Sequence, residues 1–487
     1  MDLFGLLLHG TLALDLIGLA VRIAAIVIVP VNRRPESAMA WLMAIFLIPY
    51  IGVIAFLLIG NPKLPAHRRR RQREANRLIL ERTAGMGEVP AIDPGPSWLA
   101  SVVRLNRNLG AMPLVTGNTA DLIEDYGESL QAMTDAVAAA RDTIHCEFYI
   151  VSADATTAPF FDALEAAVAR GVTVRVLYDH IGSLRTPHYR RTLRRLRSSG
   201  VDWRPMLPVQ PLRGRYQRPD LRNHRKLLVV DGDVAFVGSQ NLIDRSYNKR
   251  ANRRRGLQWQ ELMARVRGPI VAGIDAVFVT DWHSEGGEQL ELEITDADPA
   301  HAATTLECQV VPSGPGFDDD NNLKLFNSLI YNAQRRVSIT SPYFVPDESL
   351  MHAVTTAAER GLDVELFVSE IGDQPLVFHA QRSYYEPLLR SGVRIHRYPA
   401  PYILHAKHLT VDEDVSVVGS SNMDMRSFGL NMELSLMVSG REFADQLRAV
   451  EDHYRSVSRE LTLAEHRGRP WPSRIVDNLA RLTSALQ

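Results

Sequence analysis

Apolar residues are spaced in three different ways along the chain. From 37 to 60, "SAMAWLMAIFLIPYIGVIAFLLIG" runs without a charge. At about 1.5 Å per residue its length matches a hydrocarbon core of roughly 30 Å, which predicts a transmembrane helix, kinked at Pro49 where packing tolerates it. Leu3 to Val29 is also apolar but carries His9, Asp15 and Arg22. Asp15 and Arg22 share a helix face, so this segment either faces a partner helix or lies partly in the membrane interface. A cleaved signal peptide is not expected: Asp2 makes the start acidic, no small-residue cleavage site is present, and a second apolar run comes after. Beyond residue 108 the pattern changes. "PFFDALEAAVAR" (159–170) and "SLMHAVTTAAER" (349–360) have helical periodicity and stop at Gly171 and Gly361, and the β-rich runs "VTVRVLYD" and "DVELFVS" come at once.

These segments belong to a longer internal repeat. "TIHCEFYIVSAD" at 143 matches "SITSPYFVPDES" at 338, and "ARGVTVRVLYD" at 169 matches "ERGLDVELFVS" at 359. "RSSGVDWR" at 197 matches "RSGVRIHR" at 390, and "NHRKLLVVDGDVAFVGSQNLIDRS" at 223 matches "LHAKHLTVDEDVSVVGSSNMDMRS" at 404. Blocks recurring in the same order at similar spacing indicate duplication. Each copy alternates strands and helices and ends in a hairpin, which predicts α/β halves with largely buried sheets. The expected organisation is a membrane anchor over 1–60, a basic linker over 61–108, halves over 109–285 and 305–460 packed about a pseudo-twofold axis, and a helical tail over 461–487.

Composition adds little until charge is located. Apolar residues make up 46% and charged residues 23% of the chain, ordinary proportions for a globular protein with ample core. The two cysteines, Cys146 and Cys308, lie far apart in strand-like segments and read as buried free thiols, neither a disulfide framework nor a metal cluster. The formal net charge of −1 hides a basic collar after the apolar run: Lys63, Arg68, Arg69, Arg70, Arg71 and Arg73. The positive-inside rule places the chain downstream of this collar on the cytoplasmic side, weakly opposed by Arg33 and Arg34. Further basic stretches, at 189–200, 213–226 and 248–256, are candidates for anionic headgroups. "FDDDNN" at 317 reads as a helix N-cap before "LKLFNSLI" rather than as a metal loop.

The repeated hairpins carry the chemistry. Side chains alternate across a strand, so His224 and Lys226 share a face while Asp231 takes the other; His405, Lys407 and Asp412 repeat this arrangement. The motif aspartates therefore support the hairpin, while His and Lys line a site. Each hairpin ends in a small polar turn, with Ser239 and Asn241 in one and Ser420 and Asn422 in the other; Arg245 and Arg426 stand four residues after each Asn. One such phrase would mean little on a strand, but two copies at matching offsets mark a site. Lysines and asparagines suit the non-bridging oxygens of a phosphodiester, which these serines also face. One histidine can attack phosphorus while the other moves the proton of the alcohol. Glu261 and Glu433 open the strand after each hairpin and are the expected histidine-orienting carboxylates. Zinc is the rival use of histidine, but His405 and His408 point opposite ways and no acids converge on them.

The paired H-x-K-x4-D and G-S-x-N motifs resemble the phospholipase D superfamily. Residues 32–62, "SPYFVPDESL", "RSYYEPLLRSGVRIHRY", "LHAKHLTVD" and "GSSNMDMRSFGLNMEL" narrow the resemblance to bacterial cardiolipin synthases. It runs from the first helix to about residue 460. It implies an α/β protein of two pseudo-symmetric phospholipase D-like αβα halves preceded by two N-terminal membrane helices. It also implies transfer of a phosphatidyl group between two phosphatidylglycerol molecules with release of glycerol, without a metal cofactor, in the bacterial inner membrane. Within the superfamily the first-copy histidine is the usual nucleophile, which assigns that role to His224 and acid–base work to His405. The catalytic set implied is then His224, Lys226, Asp231, His405, Lys407 and Asp412. Two departures concern fine geometry: Glu261 stands where an Asp is expected, and the first turn reads Gly-Ser where Gly-Gly is common. Expected partners are phosphatidylglycerol and anionic membrane lipids. A hydrolase, or a transferase using phosphatidylethanolamine, would carry the same motifs. A nuclease would not need the anchor, so nucleic acid is not an expected partner; intact motifs argue against a silent lipid-binding scaffold. A homo-oligomer stays open.

Overall fold

The computed structural model describes residues 3–31, 33, 35–86, 96–213, 215–291 and 306–482, with side chains for all of these except 3–15, 36 and 213. The chain forms two compact units, one of Met1–Leu64 with Arg218–Asp220, the other of Pro65–Gln217 with Leu221–Gln487.

The first unit differs from the pattern-based expectation. The apolar run is not one helix but two, Pro35–Leu47 and Pro49–Ile59, broken at Ile48. Pro49 has no N–H to continue the ladder, and its ring disfavours helical backbone at the residue before it. The break is a fold-back rather than a kink. Trp41 and Phe56 meet with ring centroids 5.5 Å apart, whereas a straight helix would separate them by roughly 22 Å. A Cβ on Gly52 would stand 2.7 Å from Ala44 O and Ile45 Cα, so only glycine permits this approach. Arg33 ties the base of the hairpin by donating to Gly60 O and lies over the Phe56 ring. A third helix, Leu3–Ile28, packs Ala25 and Val29 against Ala38 and Ile45. Among the described residues no helix is long and apolar enough to cross a membrane. The spanning helix expected over 37–60 is thus replaced by a short-armed hairpin, beside the one helix of the preceding segment.

The second unit is built on a sheet in which the duplication is explicit. From one edge the strands run Asp202–Met206, Thr173–Asp179, Thr143–Phe148, Lys226–Val230, Val234–Gly238, Met263–Arg267 and Leu114–Ile123. From the other, inside an extra edge strand Arg459–Leu461, the order is Arg394–Tyr398, Asp363–Ser369, Arg336–Thr340, His408–Val411, Val415–Gly419, Asn431–Ser439 and Leu306–Ser313. The two series meet where Leu114–Ile123 pairs with Leu306–Ser313. Leu114–Ile123 belongs to both: its start pairs with the second half and its end with Met263–Arg267. Buried Asn118 pins the bulge between these registers, donating to Val115 O and Leu306 O and accepting from Ile270 N. Helices cover both faces. Cys146 lies in the core packed by Tyr126–Ala139 and Ala158–Ala169, while its neighbour His145 stacks on Phe278 of Ile270–Ser284.

Within the segment expected to be a basic linker, Ala66–Arg82 and Leu99–Gly110 are helices. Leu99–Gly110 contributes Leu99, Val102 and Val103 to the core of the second half. Arg68, counted in the basic collar, is buried and pairs with Glu285 at 2.7 and 2.9 Å, and Arg71 donates to His283 O. The helix after "FDDDNN" begins at Asn321, with Asp320 at its N-cap position.

Asp231 and Asp412 turn their hairpins in the left-handed region, at φ of 52° and 51°. Each carboxylate accepts backbone N–H groups from the start of the neighbouring strand: Arg141, Asp142 and Thr143 for Asp231, and Gln334, Arg335 and Arg336 for Asp412. Hydrogen bonds to a charged acceptor contribute about 1.5–3 kcal/mol each, less where water can replace them. Asp412→Ala is expected to destabilise the fold by about 2–4 kcal/mol while leaving kcat per folded molecule unchanged. Thermal unfolding in detergent beside an activity assay checks this, and a loss of kcat without a loss of stability would refute it.

Candidate active site

Both histidines sit just ahead of their hairpin strands, and each is positioned by a short parallel pairing with the opposite half. Arg222–Asn223 pairs with Asn431–Met432, and His224 N donates to Met432 O at 2.8 Å. Tyr402–Leu404 pairs with Gln258–Gln260, and His405 N donates to Gln260 O at 2.7 Å. The next residue on each partner strand is the glutamate. His224 Nδ1 therefore lies 2.9 and 3.0 Å from the Glu433 oxygens, and His405 Nδ1 lies 2.9 and 2.8 Å from those of Glu261. The carboxylates cross: each half orients the other half's histidine.

A carboxylate accepts the Nδ1 proton and leaves Nε2 with its lone pair free. Burial outweighs the glutamate's attraction and lowers both histidines to about 4, so the rings are neutral at ordinary pH. Glu261 and Glu433 stay below the usual carboxylate range despite burial, because a histidine and a lysine face each of them. Lys226 and Lys407 are buried and donate to the carbonyls of His224 and His405 respectively. Burial lowers them to about 7 and about 8, and each is also subject to the field of glutamates in the pair. The lysine charges act on both histidines, which makes His224, Lys226, His405 and Lys407 one electrostatic site.

Other expected residues sit one step back. The Ser420 hydroxyl donates to Glu433 Oε2 at 2.6 Å, and the Ser239 hydroxyl likewise bonds Glu261. Here they brace the glutamates. Asn241 is committed as well, with Oδ1 accepting from Ile150 N at 3.0 Å and Nδ2 donating to Tyr247 Oη at 2.9 Å. Asn422 keeps a buried, unpartnered Oδ1. Asp231 and Asp412 lie in the hairpin clamps, on the side that strand parity gives them, with their carboxylates engaged by backbone N–H groups. The basic stretch before His224 is spoken for in part: Arg222 pairs with Asp179, and Arg225 with Asp281.

Aromatic residues that the motifs did not signal complete the site. Tyr149 meets His224 edge-on at 5.0 Å, with Lys226 Nζ 5.6 Å from its ring centre, and Tyr343 lies 6.4 Å from His405. These tyrosines stand one position apart in the repeated blocks, Tyr149 seventh in the block at 143 and Tyr343 sixth in the block at 338, so the repeat did not single them out. Tyr247 also lies 6.4 Å from His405, with its hydroxyl 3.4 Å from Glu261 Oε1. Its counterpart in the repeat is Phe428, so a difference between the copies was the clue.

The family model described as "Cardiolipin synthase, PLD-like domain" matches residues 133–282 and again 326–454. The chain belongs to this cardiolipin synthase family. A second model, "Phospholipase D-nuclease N-terminal", matches residues 18–61, the helix and hairpin of the first unit. Cardiolipin synthase A of Klebsiella pneumoniae (strain 342) is 33% identical over 464 residues, covering 93% of this chain and 94% of that protein. Cardiolipin synthase A of Escherichia coli O1:K1 / APEC is 32% identical over 467 residues, with the same coverage. Among solved structures, phosphatidylserine synthase of Haemophilus influenzae Rd KW20 shares the fold, with a TM-score of 0.61 at 14% identity, covering 80% of this chain and all of that one. The two matched ranges are the two halves of the repeat, each with one His-x-Lys phrase, at His224 and at His405.

Glu433→Gln and Glu261→Gln keep an acceptor for Nδ1–H but remove the charge that would stabilise a protonated ring. Each is expected to lower kcat by about 10²–10⁴ with the fold retained. Tyr247→Phe removes only the hydroxyl behind Glu261 and should cost about 3–10-fold. Steady-state kinetics beside circular dichroism tests this order, which a Tyr247→Phe loss equal to that of Glu261→Gln would contradict.

Proposed function

We propose that the protein is a cardiolipin synthase that transfers the phosphatidyl group of one phosphatidylglycerol to a glycerol hydroxyl of another through a phosphohistidine. The observation that carries this is the pair of buried, neutral histidines, each held at Nδ1 by a crossed glutamate and flanked by a buried lysine. His224 Nε2 attacks phosphorus, a P–N bond forms, and the P–O bond to the headgroup glycerol breaks. His405 gives its Nε2 proton to the departing oxygen. The second phosphatidylglycerol then enters, His405 takes the proton from its terminal hydroxyl, and that oxygen displaces His224 to give cardiolipin. Lys226 and Lys407 neutralise the non-bridging oxygens as charge develops.

A histidine lowered to about 4 looks a poor acid, but the charge count resolves this. The empty site balances two lysines against two glutamates. A phosphodiester adds one negative charge, and a proton on one imidazole restores neutrality. Substrate thus recruits the proton its leaving group needs. Membrane attachment belongs to the same proposal. The first unit exposes Met43, Phe46, Leu47, Ile51 and Leu57, an apolar surface suited to lipid. The basic excess after residue 60 favours the cytoplasmic face of the inner membrane.

Protein reconstituted with phosphatidylglycerol is expected to release glycerol and cardiolipin in equal amounts; phosphatidic acid without cardiolipin would mean a hydrolase. Given a phosphatidyl donor whose leaving group needs no proton, His405→Ala should accumulate label on His224. Label appearing instead on His405 in His224→Ala would reverse the roles.

The lysines also set a pH dependence. A lysine is charged below its pKa, so with values of about 7 and about 8 the clamp discharges as pH rises through that window. In the free enzyme both histidines are lowered to about 4, so His405 gains its proton only with the substrate. The kcat/KM profile should therefore fall by about tenfold per pH unit above roughly pH 5 and more steeply once the lysines discharge near 7–8, far below the ordinary lysine value. A profile level to about pH 9.5 would overturn this.

A further inference from the structure

The helix Trp471–Arg481 is inverted relative to an ordinary surface helix. Its buried face carries Asp477 and the half-buried Ser473 beside a single small apolar residue, Ala480, while its large apolar side chains face solvent. Asp477, 2% exposed, anchors the buried face through His379 Nδ1 at 2.7 Å and Arg469 Nη1 at 2.6 Å, while Arg382 Nη2 donates to Ser473 Oγ at 3.0 Å. Opposite, Trp471 is 71%, Ile475 45%, Leu479 59% and the adjoining Leu482 79% exposed. At about 100° per residue these four fall within an arc of about 80°. Ordinary burial would turn such a stripe inward; here the Asp477 ion network holds it outward.

We propose that this stripe docks on an anionic lipid surface and that the helix is a second membrane-contacting element, apart from the N-terminal unit. Charge selects the occupant. From Trp471 to Leu482 the one acid is Asp477, which is buried, so the helix itself exposes Arg474 and Arg481 and no carboxylate, with Glu386 of a neighbouring helix 3.9 Å from Arg474. A tryptophan at the helix start, an apolar stripe and flanking arginines form the pattern of an interfacial helix on negatively charged headgroups.

The placement links the bilayer to the reaction. The helix packs along Pro375–Ser383, with Arg481 4.7 Å over the Tyr384 ring. Gln381 of that neighbouring helix accepts from Phe344 N at 2.8 Å, next to Tyr343. Phe378 and Gln381 line a small cavity together with Tyr343, the residue against His405. Docking of the stripe thereby sets the His405 side of the site at the lipid surface.

Both native cysteines are buried, so an environment-sensitive fluorophore can be placed by Leu479→Cys in the full chain, with Gln131→Cys as a control. In vesicles of phosphatidylcholine containing phosphatidylglycerol, the label at 479 should shift to the blue and be quenched by nitroxide lipids, while the label at 131 does neither. The paired substitution Trp471→Ser with Leu479→Ser should raise the apparent KM for vesicular substrate about fivefold or more. Absence of shift and quenching overturns the proposal. So does a shift that grows with protein concentration in detergent and resists lipid quenching, which would mean a second copy covers the stripe. Equal quenching in pure phosphatidylcholine overturns the anionic preference. The fluorescence requires no turnover, so its failure is separable from failure of the transfer reaction.

Discussion

Each imidazole is held by a carboxylate from the other half of the chain, and most of the site's geometry depends on that crossing. Two-residue parallel pairings set His224 beside Glu433 and His405 beside Glu261. Removing either partner would leave a buried charge or donor unmet, at a cost on the order of 3–5 kcal/mol for a buried pair. Neither half can assemble its own dyad. The seam therefore has to be stiff, and the continuous sheet through Leu114–Ile123 supplies that stiffness. Arg225 adds to it: its Nε donates to Glu433 O and its guanidinium pairs with buried Asp281, binding the residue between His224 and Lys226 to the opposite half.

The site holds two buried lysines in a region that otherwise disfavours charge, and it tolerates them because the glutamates are equally buried. The balance is made among groups tens of residues apart in sequence but within reach of one another's fields. The serines serve that balance from behind. By bonding the glutamates they keep them ionised, which keeps Nδ1 protonated and Nε2 available. Their place in the G-S-x-N turn sets each hydroxyl on the carboxylate that orients a histidine.

Local periodicity made much of this legible. The repeat blocks became the matched strand series, the helices expected at 159–170 and 349–360 appear at Ala158–Ala169 and Glu348–Glu359, and strand parity put Asp231 and Asp412 away from the histidines. Features that depend on relations between distant segments were not legible. Nothing in "WQEL" tells which histidine Glu261 meets, because that is set by a pairing with Tyr402–Leu404. The collar arginines looked alike in sequence, yet Arg68 finds Glu285 more than two hundred residues away. The apolar run departs from a single helix for a different reason. Hydropathy measures how much apolar chain there is, while the fold-back at Pro49 depends on the missing N–H and on a glycine that lets the two arms touch.

The halves share a fold but not an environment, and the differences bear on the division of labour. Beneath His224, the residue between His and Lys is Arg225, buried with Asp281 and close to Glu147, whose acidity burial and Asp281 weaken. At the matching place before Lys407 stands Ala406, with no side chain to fix the strand from below. His224 is thus the more rigidly mounted ring, as a nucleophile that must return phosphorus to the same position requires. His405 has Tyr247 and Tyr343 nearby where His224 has Tyr149, and the Tyr247 hydroxyl reaches toward Glu261. A hydroxyl beside the orienting carboxylate offers an adjustable contact as the ring gains and loses its proton, while Phe428 at the equivalent position of the other half packs on Phe326 and offers none. A fixed ring on one side and a polar, adjustable setting on the other suit a reaction in which one histidine holds phosphorus while the other exchanges protons with two successive alcohols.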